Sequence, residues 1–130
     1  PLRKIISGGE MSRVMLSLKA ILGNSCESRL LVFDEIDAGI GGEVAYRVAD
    51  KLKSISTRNQ VLLITHLQQI AAASDCHIKV EKEIANGRTF TTARKISKSE
   101  RANELAKMIA GEHITKGALD HAKELLKKAV

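Results

Sequence analysis

The sequence contains no tryptophan, and its 130 residues include only two phenylalanines, one tyrosine and one proline. With so few rings, Phe33, Tyr46 and Phe90, the chain cannot build the aromatic platform on which single-stranded nucleic acid stacks. Direct reading of bases is therefore excluded as its main work. No apolar run approaches the ~18 residues that cross a bilayer, and no signal-peptide pattern is present. The expectation is a cytoplasmic domain without a membrane partner. Cysteine is scarce too: Cys26 and Cys76 lie far apart with no CxxC, as reduced thiols do. The Cys76-His77 pair has no second Cys or His at ligand spacing, so no metal-thiolate centre is expected.

What is present is enough for one modest domain with a real core, residues 1–130. The chain starts at Pro1, which suggests a fragment or a processed product. A net charge of +6 permits a polyanionic partner such as DNA or a nucleotide, but the basic residues are spread along the chain rather than clustered.

Periodicity gives the elements. Met11, Val14, Met15, Leu18 and Leu22 recur at helical spacing behind Ser7-Gly8-Gly9, and Gly23-Asn24 supplies a stop. Leu30 to Phe33 and Val61 to Ile64 are short continuous apolar runs, the pattern of strands buried on both faces of a parallel sheet. Val44, Val48, Leu52 and Ile55 mark a helix between them, which makes a strand-helix-strand crossover in an α/β sheet. A short helix is expected over Gln68 to Ala73. Alternating Ile78, Val80 and Ile84, then Asn86-Gly87 and the Thr89 to Thr92 run, predict a β-hairpin. Ser97 and Glu100 have capping-box spacing ahead of a helix ending at Gly111, and Thr115 can cap a last helix.

Three stretches carry chemistry. Asp34 and Glu35 follow a hydrophobic strand at the carboxyl edge of the sheet, where ligands of open α/β sheets bind. One carboxylate there can hold Mg²⁺ through water and the next can orient or deprotonate an attacking water. Acidic residues that merely cap a turn would look the same. His66 ends the second strand, where it could donate to a phosphate oxygen or simply be satisfied by backbone carbonyls. Ser7 is a good helix cap, and Gly8 and Gly9 would let another molecule approach bare N–H groups at the positive end of the helix dipole. An ordinary glycine loop is the plainer alternative.

Taken in order, "ISGGE", "LLVFDEIDAG" and "LLITHLQQIAAASD" resemble the signature motif, Walker B strand, D-loop and switch-histidine loop of ABC-type ATPases. "SGGEMSR" and "FDEIDAGIGG" resemble the SMC and RecN group more than transporters, and "RANELAKMIAG" with "HAKELL" resembles the carboxyl-terminal end of the RecN family. The resemblance covers essentially the whole chain. It implies an α/β fold, the carboxyl-terminal lobe of an ABC-type P-loop ATPase head, with parallel strands, flanking helices, a hairpin and two terminal helices. It also implies ATP and Mg²⁺ as cofactors, hydrolysis of ATP, a homodimer with ATP sandwiched between heads, DNA as partner, and a nucleoid-associated place in the cytoplasm.

Residue by residue, the resemblance implies that Ser7, Gly8, Gly9 and Glu10 form the signature facing the opposite subunit's γ-phosphate. It makes Asp34 the Mg²⁺-supporting aspartate, Glu35 the glutamate that activates water, Asp37 the D-loop aspartate reaching across the dimer, and His66 the switch histidine. Arg13, one turn into the signature helix, is a candidate relay or interface residue. No GxxxxGK[ST] occurs, so the phosphate-cradling loop is expected on an amino-terminal lobe outside these residues, and the chain alone is expected to be inactive. Two alternatives stand beside this reading: a non-catalytic DNA-binding or dimerisation module, and a transporter's nucleotide-binding lobe.

Overall fold

The computed structural model describes residues 7–22, 30–85 and 87–129. The expected helix stop at Gly23-Asn24, Cys26 and the Asn86 turn residue lie outside the described residues. The chain divides into two compact units, one up to Ala73 and one from Ser74 onward.

The first unit contains α1 (Gly8–Leu22), β1 (Leu30–Phe33), α2 (Gly42–Ser56), β2 (Gln60–Leu63) and α3 (Gln68–Ala72). β1 and β2 pair in parallel, Leu30 opposite Gln60 and Phe33 opposite Leu63, with α2 as the connection between them. The mixed α/β class read from the sequence is borne out. α2 buries Ala45, Val48, Ala49, Leu52 and Ile55, and all of these but Ala45 pack with Leu16, Phe33, Ile36 and Ile70, whereas Val44, which also marks the helix in the sequence, is exposed.

Two expectations about burial need correction. β1 and β2 are covered on one face only: Leu30, Val32, Leu62 and Ile64 are exposed, Val32 at 62% and Ile64 at 67%. Within α1 Leu16 and Gly9 are buried, whereas Met11, Val14, Met15 and Leu18, four of the residues that mark the helix in the sequence, are exposed together with Ile21. The physical reason is shared: both elements are apolar on more sides than this core can cover.

The second unit holds β3 (Ile78–Ala85), β4 (Arg88–Lys95), α4 (Lys98–Ala110) and α5 (Lys116–Lys128). β3 and β4 form an antiparallel pair from Ile78 opposite Lys95 to Ala85 opposite Arg88. Both arms of the capping box at Ser97 and Glu100 are made, and the carboxyl of Glu100, held by Ser97 and by Arg94, is pulled down to about 2. The Thr115 hydroxyl caps α5 by accepting from the Ala118 N–H at 3.2 Å. Leu105 and Ala106 of α4 and Ala118, Ala122 and Leu125 of α5 are buried.

Candidate functional site

Every residue of the site lies in the first unit, around the turn that follows β1. Ser7 and Glu10 form a capping box at the start of α1: the Glu10 N–H donates to Ser7 Oγ at 3.3 Å, and the Ser7 N–H donates to Glu10 Oε2 at 2.9 Å. Hydrogen bonding of the Glu10 carboxyl, first by the Ser7 backbone N–H and then by the Ser7 side chain, lowers its pKa. The S-x-x-E spacing that identifies the Ser97 cap was equally legible here, and it answers how a helix can begin firmly at two glycines.

Gly8 and Gly9 are not needed for a left-handed backbone, since neither has positive φ. They are needed for proximity. A Cβ on Gly9 would stand 2.7 Å from the carbonyl oxygen of Glu35 and 2.8 Å from the Cβ of Ala38. One on Gly8 would stand 2.7 Å from Glu35 Oε2. The chain's own Glu35–Ala38 turn approaches both glycines closely, with the Glu35 carboxylate at the positive end of α1.

α1 fastens that turn. Ser12 Oγ donates to the Asp34 carbonyl at 2.9 Å, and Arg13 Nη1 donates to the carbonyls of Ile36 at 3.2 Å and Ala38 at 2.8 Å. Glu35 has φ +55, the left-handed region that costs a non-glycine residue about 1–3 kcal/mol and persists only where surroundings hold it. Asp34 and Glu35 are both exposed just past the carboxyl end of β1.

Asp37 faces the other way. It is 3% exposed, its Oδ2 accepts from Thr65 Oγ1 at 2.6 Å and from the His66 N–H at 2.8 Å, and the His66 ring Nδ1 stands 3.0 Å from the same oxygen. Burial pushes its carboxyl up, but the Thr65 and His66 hydrogen bonds and the His66 ring outweigh that and hold it below the usual aspartate value. Thr65 Oγ1 in turn accepts from the Leu67 N–H at 3.0 Å, which shapes the loop into α3. The His66 side chain remains 71% exposed. Thr65 and Ser12 were missed from sequence; the Thr-His pair ending the β2 run was the available signal for the first.

The residues read from the motifs therefore form one connected arrangement: α1 holds the Asp34–Ala38 turn, and that turn holds the His66 loop. Among the described residues no group of three or more His, Cys, Asp or Glu is arranged to hold a metal by itself. The exposed carboxylate of Asp34 suits a hard cation that keeps water and phosphate oxygens as its other ligands, as Mg²⁺ does. No helix among the described residues is long and apolar enough to cross a membrane.

Comparison with known proteins fits this geometry. No family model matches the chain. It is 46% identical over 128 residues to the DNA repair protein RecN of Bacillus subtilis, covering 98% of this chain and 22% of that protein. It is 49% identical over 127 residues to RecN of Treponema pallidum, with the same coverage of 98% and 22%. With RecN of Deinococcus radiodurans the identity is 48% over 126 residues, 97% of this chain and 22% of the relative. A solved structure described by the words "ATP-driven dimerization and DNA stimulated activation of SMC ATPases" superposes with a TM-score of 0.53 at 23% identity, over 85% of this chain and 66% of the other. That likeness shows the fold. The resemblance to the carboxyl-terminal RecN lobe is borne out, while the chain spans under a quarter of the length of these relatives.

Proposed function

We propose that this chain, similar over nearly all its length to one segment of RecN DNA repair proteins, is the carboxyl-terminal lobe of an ATP-hydrolysing head. The observation that carries the reading is the connected arrangement in which α1 clamps the Glu35 turn and Asp37 ties that turn to the His66 loop. A nucleotide head needs its water-activating carboxylate, its metal-side carboxylate and its phosphate-sensing group fixed relative to one another before substrate arrives, because catalysis of phosphoryl transfer is mostly positioning and charge stabilisation.

In this reading Glu35 orients and deprotonates the attacking water. Asp34 would hold Mg²⁺, which when bound neutralises charge on the phosphates. His66 presents its ring towards the γ-phosphate. Ser7, Gly8, Gly9 and Glu10 open α1 towards the nucleotide held by a second copy of the head, so a homodimer completes the site. The resemblance also assigns Asp37 a contact across that dimer, whereas its burial favours a role within its own chain.

The rest of the head would come from an amino-terminal lobe carrying the phosphate-binding loop, with residues 1–130 as a single domain, the carboxyl-terminal lobe of that split head. The exposed apolar residues of α1 and of the β1–β2 face, Val14, Leu18, Val32 and Leu62 among them, support this reading, because grouped exposed apolar side chains mark surfaces that meet another surface. DNA is the partner of the whole protein, which works in the cytoplasm on the nucleoid.

The test compares ATP turnover by the full-length protein with turnover by the 130-residue chain. The expected result is hydrolysis by the first and none by the second. Robust turnover by the chain alone would sink this assignment of roles. Salt-sensitive DNA binding by the chain without nucleotide would instead favour a non-catalytic DNA-binding module.

A further inference from the structure

The Asp37 carboxylate and the His66 ring belong to different loops, 29 positions apart in sequence, yet one oxygen of Asp37 accepts the backbone N–H of His66 and stands 3.0 Å from its ring Nδ1. A carboxylate as deeply buried as Asp37 is normally the fixed member of such a pair, and His66, mostly exposed, is the presented one. Thr65 adds a third bond to the same oxygen, at 2.6 Å, so the carboxylate cannot swing towards solvent without leaving two donors unsatisfied.

The consequence for the ring is specific. A carboxylate oxygen 3.0 Å from Nδ1 favours the tautomer that carries its proton on that nitrogen and leaves Nε2 as the ring nitrogen free to meet a ligand. Without Asp37, both ring nitrogens and several rotamers of an exposed histidine would compete. We propose that Asp37 is a positioning residue acting within its own chain, which fixes the tautomer and orientation of His66 so that Nε2 is the atom offered to the reacting phosphate or its attacking water. This inference rests on the reading of His66 as a participant in hydrolysis. It differs from a contact across a dimer in requiring nothing of the partner.

The test is a double-mutant cycle in the full-length protein, with His66→Gln, Asp37→Asn and the pair. Asp37→Asn should lower kcat by about 10- to 100-fold, the range for groups that orient a functional histidine, with little change in KM. In the His66→Gln background the same substitution should change kcat by less than about twofold, because its target is gone. Full additivity of the two losses would overturn the pairing. If His66→Gln alone left turnover unchanged, the functional reading of His66 would fall, and with it the catalytic role of Asp37, a result distinguishable from additivity. A measurement on the wild type guards against variants that do not fold. In ¹⁵N spectra of histidine-labelled full-length protein, with the His66 signal assigned by its loss in His66→Gln, the neutral ring should carry its proton on Nδ1. A proton on Nε2 would overturn the proposal.

Discussion

Asp37 meets His66 twice, by a hydrogen bond of 2.8 Å from the backbone N–H and a contact of 3.0 Å from ring Nδ1 to the same carboxylate oxygen. The turn after β1 and the loop after β2 are therefore one mechanical piece, with Thr65 as its third contact. Because the folded carboxyl of Asp37 lies below its unfolded value, the stability it contributes is present above the unfolded pKa and is lost as pH falls through the folded one. Thr65→Val deletes one donor to a buried charge and should cost about 1.5–3 kcal/mol in urea unfolding near neutral pH. A variant as stable as wild type would mean that the Thr65 bond contributes nothing.

The two glycines that open α1 should respond differently to the same change. Gly9→Ala drives a methyl into the Glu35 carbonyl and the Ala38 side chain, neither of which can yield cheaply, and should destabilise by about 1–3 kcal/mol. Gly8→Ala meets only the end of the flexible Glu35 side chain, so its effect should lie between none and a gain of about 1 kcal/mol from helix propensity. Thermal unfolding of the two variants separates them, and equal losses would contradict the packing described.

On the open face of the parallel pair, Leu62 lies opposite Val32 and both are exposed. Leu62→Asn should change the stability of the 130-residue chain by no more than about 0.5 kcal/mol, as surface substitutions do. In the full-length protein it should cost ~2 kcal/mol or more, because a covering lobe would bury it. Equal effects in both forms, read from denaturation midpoints, would argue that nothing covers this face.

In the second unit, burial and then the guanidinium of Arg101 push the His77 imidazole below its ordinary value, against a weaker pull from Glu104. Its Nδ1 is buried without a hydrogen-bond partner. A histidine depressed in the folded state contributes stability fully present above its unfolded pKa and lost as pH falls below it. Denaturation midpoints of the 130-residue chain should therefore decline between about pH 7 and pH 5, and decline less in His77→Gln. Identical pH profiles would remove His77 as a cause.

The sequence carried the elements well because each is written locally. The α2 stripe, the two apolar strand runs, the Ser97 and Thr115 caps and the alternation along β3 depend only on near neighbours. What covers an apolar face is not local. Met11, Val14, Met15 and Leu18 mark α1 as a helix, but the period cannot say whether this core or another surface meets them. The site divides the same way. Asp34, Glu35 and His66 are legible as polar residues at strand ends, whereas the bond between Asp37 and Thr65 joins positions 28 apart and leaves no spacing to read. The left-handed backbone of Glu35 is likewise set by contacts from α1 that arrive from 22 to 25 positions away.

The central claim is that Glu35 activates water in a head completed by another lobe and a second copy. It is tested most directly by steady-state ATP hydrolysis of the full-length protein carrying Glu35→Gln, measured beside its ATP-dependent self-association. The account predicts turnover reduced by about 10²–10⁴-fold, the contribution of a positioned general base, with association retained. Turnover at the wild-type rate would contradict it.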